Sequence, residues 1–147
     1  MTSTSTTPVD ALQTALAGEH AALYVYGTLG ARTSESATPL LFQRVSEAYV
    51  AHRAWRDLLT SRLVDEGAEP TSAAPTYELP ATPPTPAGVG LSAAGIEARC
   101  ADIYAYVVAN TSGADRAWAI GALTSAATRM VGFGAAPEAL PGGADLA

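Results

Sequence analysis

The feature that most constrains this chain is a break in its helical pattern. Four stretches with apolar residues recurring every three and four positions are divided two and two by a proline-rich segment that has no helical period. Residues 67–90 hold six of the ten prolines. Compact domains seldom carry so long a connection without a structural task, and its reach supplies one. At ~3.1 Å per residue it spans about 70 Å, whereas a helix of equal length is only ~36 Å long. The chain can therefore travel the full length of a helical bundle and begin a third helix at the far end.

Thr7-Pro8 is a helix start, a hydroxyl N-cap before a proline at the first helical position, and Thr38-Pro39 repeats it. The first helix is expected to run to about Ala31, with Val9, Leu12, Leu16, Leu23 and Tyr26 on its buried side. The second runs to about Glu66 and ends at Gly67, burying Leu41, Val45, Tyr49, Leu59 and Leu63. Ser92 is the expected cap of the third, which carries Ile96, Cys100, Ile103, Tyr104, Val107 and Val108 and stops at Asn110-Thr-Ser-Gly113. Ser112 or Asp115 opens the fourth, with Trp118, Leu123, Ala126, Ala127 and Met130 inside and Gly132 or Gly134 near its end. The expected fold is all-α: a ferritin-like four-helix bundle of two antiparallel hairpins joined by a long Pro-rich crossover. In residue terms this means a disordered N-terminus at 1–7, a bundle at 8–133 with its crossover at 67–90, and a flexible tail at 134–147.

Charge removes several functions. The 147 residues suffice for one domain, and their net charge is −6 with a basic complement made only of arginine. Without lysine there is no Walker-type phosphate site, no Schiff-base chemistry and no polybasic membrane patch. The eight arginines are spread over all four helices, so nucleic acid is not an expected partner. Charged or polar groups interrupt every helix, and no membrane span is expected. A lone Cys100 forms no internal disulfide, and residues 1–8 lack the basic and apolar blocks of a signal peptide, so the expected location is cytoplasmic.

The run Ala17-Gly-Glu-His-Ala-Ala-Leu-Tyr24, followed by Tyr26-Gly27, is the first of three segments that resemble a known family. The others are Ala51-His-Arg-Ala-Trp-Arg-Asp-Leu58 and Pro75-Thr-Tyr-Glu-Leu-Pro80. In this order and spacing they resemble an uncharacterised, mostly actinobacterial family of ferritin-like domains, over roughly residues 9–143. The resemblance implies the fold and no assigned activity.

Three ligand-type residues, Glu19, His52 and Glu97, lie within the apolar stripes of the first three helices. A carboxylate facing a bundle core is costly unless it is paired, hydrogen-bonded or metal-bound, so these are the candidate metal ligands. A two-metal carboxylate site needs a Glu on each of two helices and a Glu-x-x-His on each of the other two. Here Tyr49 stands three residues before His52, and the fourth helix offers Arg116, Trp118, Thr124 and Thr128 where ligands are needed. Glu19 and His52 come level along an antiparallel hairpin. Counted from a helix starting at Ser92, Glu97 falls at a shallower depth.

A hydrogen-bonded Glu19–His52 pair, with Tyr24, Tyr49, Arg53 or Arg56 as partners, satisfies both groups without a cation. His20 points about 100° from Glu19 and reads as a surface residue, Tyr77 and Leu79 read as anchors of the crossover, and Cys100 as a small buried apolar side chain. Tyr24, Tyr26, Tyr49, Tyr104, Tyr106, Trp55 and Trp118 read as core and interface aromatics. The expected function is that of a non-catalytic binding or interaction protein with an incomplete di-metal site and no cofactor. It is expected to form a homodimer and to bind a small ligand or a protein. The alternative is a single-metal protein or oxidoreductase in which Glu19, His52 and Glu97 hold one Fe, Mn or Zn ion.

Overall fold

The computed structural model describes residues 6–143, which form four helices and no strand among them. These are α1 (Pro8–Gly30), α2 (Pro39–Asp65), α3 (Pro86–Asn110) and α4 (Gly113–Gly132). Most of the expected N-terminal segment 1–7 and the last four residues of the expected tail 134–147 lie outside the described residues. At the start of α1, Thr7 Oγ1 accepts from Asp10 N while the Asp10 carboxylate accepts from Thr7 N, a reciprocal box that satisfies two otherwise orphaned donors.

The third helix begins earlier than the apolar period indicates. Its cap is Thr85, whose hydroxyl accepts from Gly88 N at 3.1 Å, and Pro86 follows at the first helical position. The crossover is thus shorter than the expected 67–90. Ser92 is buried inside the helix and hydrogen-bonds the Thr82 hydroxyl instead of capping. Gly88 and Gly90 obscured this start because glycine is unfavourable in a helix interior. At Gly88 the cost has a reason: a Cβ there would lie 1.8 Å from the Pro83 carbonyl oxygen.

Short connections make α1–α2 and α3–α4 antiparallel hairpins, and the crossover carries the chain back along the bundle so that α3 also runs antiparallel to α1. Cross-helix contacts set that direction, since Glu19 meets Tyr104 and Tyr26 meets Glu97. The crossover is anchored along the way. Gln13 on α1 donates to Glu69 O and accepts from Thr71 N, His20 Nε2 lies 3.0 Å from Thr71 O, Tyr77 packs its ring on Tyr24, and Leu79 packs against the core.

Two apolar clusters fill the interior. One contains Leu12, Leu16, Leu59, Leu63 and Val107; the other contains Val25, Leu29, Val45, Val89 and Ile96. Ala119, Ala122 and Ala126 are buried, so this alanine face of α4 serves internal packing. Among the described residues no helix is long and apolar enough to cross a membrane.

Candidate functional site

Between the two apolar clusters lies a polar layer built from all four helices. Glu19, His52 and Glu97 are completely buried, so the structure brings together the three residues that the apolar stripes single out. Glu97 is level with the others because α3 starts at Pro86: it stands 11 residues, or ~17 Å, beyond that start, while His52 stands ~20 Å beyond Pro39.

His52 lies between the two carboxylates. Its Nδ1 is 2.6 Å from Glu19 Oε2 and its Nε2 is 3.1 Å from Glu97 Oε1. Two tyrosines complete the layer: Tyr104 donates to Glu19 Oε1 and Tyr26 donates to Glu97 Oε1, both at 2.5 Å. Arg129 from α4 donates through Nε to the same Glu97 oxygen at 2.8 Å. The result is one chain of hydrogen bonds, Tyr104–Glu19–His52–Glu97, that ends on Tyr26 and Arg129. Two carboxylates face one imidazole and one guanidinium.

Burial opposes the imidazolium, but the hydrogen bonds to Glu19 and Glu97 outweigh it and push the His52 pKa up to about 9. Burial likewise opposes ionisation of Glu97, yet His52 and Arg129 hold its carboxyl below the ordinary value. Burial pushes the Tyr26 and Tyr104 hydroxyls and the Cys100 thiol well up, so the tyrosines stay protonated donors and the thiol is inert. Trp55 lies edge-on to His52, Tyr26 stacks on the imidazole with ring centroids 5.3 Å apart, and the Arg129 guanidinium sits 4.9 Å from the centre of the Trp55 ring. This aromatic packing separates the charges from solvent and makes each hydrogen bond count for more.

Tyr24, Tyr49, Arg53 and Arg56 are not the partners of the pair. Tyr24 packs on the crossover and Arg56 bonds Asp57. Arg129 satisfies the layer from a helix that carries no metal-ligand type there. One sequence signal does point to the tyrosines. Glu19 and Tyr26 are seven residues apart, two helical turns, and so are Glu97 and Tyr104. On antiparallel helices with this shared spacing each tyrosine reaches the glutamate of the other helix. Among the described residues no group of three or more His, Cys, Asp or Glu side chains converges as a metal site.

The family model described as a domain of unknown function, DUF4439, matches residues 11–145. The chain belongs to this family. The chain is also similar in structure to a conserved hypothetical protein from Mycobacterium tuberculosis seen in a crystal structure, to which it is 32% identical. The two superpose with a TM-score of 0.74 over 84% of each chain. No curated protein matches.

Proposed function

We propose that this domain is a non-catalytic binding or interaction module, a ferritin-like bundle in which internal side-chain cations occupy the centre that metals hold in di-metal relatives of the fold. The observation that carries this reading is the position of His52. Each of its ring nitrogens is taken by a different carboxylate, so the imidazole has no lone pair left for a cation that Glu19 and Glu97 would share. Arg129 adds a permanent positive charge on Glu97. The donor set as arranged does not fit a metal. Loading one would require displacing a guanidinium and removing a proton from an imidazolium that its neighbours stabilise. The hairpin connectivity and the repeated Glu/Tyr spacing on α1 and α3 support the ferritin-like description.

Untagged protein purified from metal-supplemented medium should contain Fe, Mn and Zn at background level by elemental analysis. Stoichiometric metal that disappears in both Glu19→Ala and His52→Ala would establish the single-metal alternative instead. The proposed macromolecular partner is a second copy of the chain. Val50, Leu58 and Val64 leave apolar surface exposed on α2, and light scattering that reports a strict monomer would remove this part of the reading.

A further inference from the structure

Residues 78–82 of the crossover lie along α3, and between the two is a cavity of about 260 Å³. From α3 come Leu91, Gly95 and Arg99, a stripe at four-residue spacing, with Ser92 and Ile96 beside it. The walls are tied together at one end, where the Thr82 and Ser92 hydroxyls hydrogen-bond. Leu79 is fixed by its packing on the core. The space between is open because a Cβ on Gly95 would meet nothing within 4 Å.

The crossover runs parallel to α1, meeting Gln13 through Thr71 and Tyr24 through Tyr77, so it is antiparallel to α3. Tyr26 of α1 meets Glu97, and Tyr24, two residues earlier, is therefore level with Arg99. The contact of Tyr77 with Tyr24 then brings Glu78 close to the level of Arg99, at the end of the cavity away from the Thr82–Ser92 bond. Both charged residues are exposed. No ion pair among the described residues uses either, not even with the other. The rest of the lining is largely apolar, from Leu79, Ile96 and Leu91, the last 66% exposed.

We propose that this cavity binds a free α-amino acid with an aliphatic side chain of about leucine's size. Its ammonium donates to the Glu78 carboxylate, its carboxylate accepts from the Arg99 guanidinium, and its side chain lies over Gly95 between Leu79, Leu91 and Ile96. Charge selects the class. A free amino acid carries both signs on one carbon, whereas either end of a peptide brings only one. Volume selects a small molecule, since cavities for drug-sized ligands span roughly 300–1,000 Å³. The inference rests on the reading of the domain as a binding module. Elemental analysis of the same sample tests the metal-free centre of that reading separately, because no residue of the polar layer lines the cavity.

Leucine titrated into the ¹⁵N-labelled full chain tests it by NMR. The expected result is a saturable shift of the Gly95 and Leu79 amides and of Arg99 Nε–H. N-Acetylleucine lacks the ammonium and leucinamide the carboxylate, so each should bind roughly three- to fivefold more weakly, the modest worth of an exposed ion pair. Glycine, which has no apolar side chain to bury, should bind roughly tenfold more weakly. Glu78→Gln should weaken leucine but not N-acetylleucine, and Arg99→Gln should weaken leucine but not leucinamide. Gly95→Leu puts a side chain into the cavity and should abolish the response. That variant keeps the fold, because its Cβ meets nothing and leucine favours a helix more than glycine does. A shift that does not saturate, N-acetylleucine and leucinamide binding as well as leucine, or unchanged binding in Gly95→Leu would overturn the proposal.

Discussion

The two hairpins bring matching groups to the polar layer from one helix and contrasting groups from the other. From α1 and α3 come the same pair at the same spacing, Glu19 with Tyr26 and Glu97 with Tyr104. From α2 comes a titratable cation, His52, and from α4 a permanent one, Arg129. The first half thus supplies a charge that pH removes and the second a charge that it does not. The carboxylates differ accordingly. Glu19 holds Tyr104 and His52, whereas Glu97 holds Tyr26, His52 and Arg129.

The sharpest way to break this comparison is to delete each carboxylate in turn. Removing one partner of a buried ion pair costs on the order of 3–5 kcal/mol, because the group left behind stays charged and dry. Glu97→Ala should lie at the upper end of that range, since it strands three donors. Glu19→Ala should cost less, since it strands two. Urea unfolding of both variants measures the difference, and equal losses would mean that Arg129 contributes little.

The titratable half should reveal itself in the pH dependence of stability. Because the folded His52 pKa is raised to about 9 from an ordinary 6.5, its contribution is complete below 6.5 and is lost as pH rises through 9. A rise of that size corresponds to roughly 3 kcal/mol. Glu97 acts in the opposite direction. Its lowered pKa gives a contribution that is present above its ordinary value of 4.5 and lost as pH falls through the folded value. Unfolding free energies should therefore form a plateau between about pH 5 and 6.5 and decline on both sides. The alkaline decline should vanish in His52→Gln, whose amide does not titrate. Its persistence there would assign it to another group.

The matching half predicts matching, smaller effects. Tyr26→Phe and Tyr104→Phe each remove one hydrogen bond to a carboxylate, worth about 1.5–3 kcal/mol. Both rings are buried, so each variant keeps its packing. Losses that agree within ~0.5 kcal/mol would support the equivalence of α1 and α3. A much larger loss at Tyr104, which also touches Trp55 and Trp118, would show that the aromatic seam is coupled to the layer.

Much of this arrangement was legible in the residues. Helical period, the Thr-Pro starts and the proline-rich interruption give four helices and the crossover, and the apolar stripes single out Glu19, His52 and Glu97. The start of α3 was missed because Gly88 and Gly90 read as loop when their close approach to the crossover and to Phe133 is unknown. Arg129 was missed for a different reason. An arginine near a helix end reads as a surface residue, and its long side chain lets the guanidinium reach the core while the Cα stays outside.

By itself the sequence determined which residues face inward, because a 3.6-residue period assigns each side chain to a face of its own helix. Only the tertiary structure decided who meets whom. The depth at which α3 enters, and the antiparallel seating of α1 against α3, put His52 between two carboxylates, bring each tyrosine to the opposite glutamate and let Arg129 satisfy the fourth side. Register between helices is set by packing over the whole interface, and no single helix carries that information along its own axis.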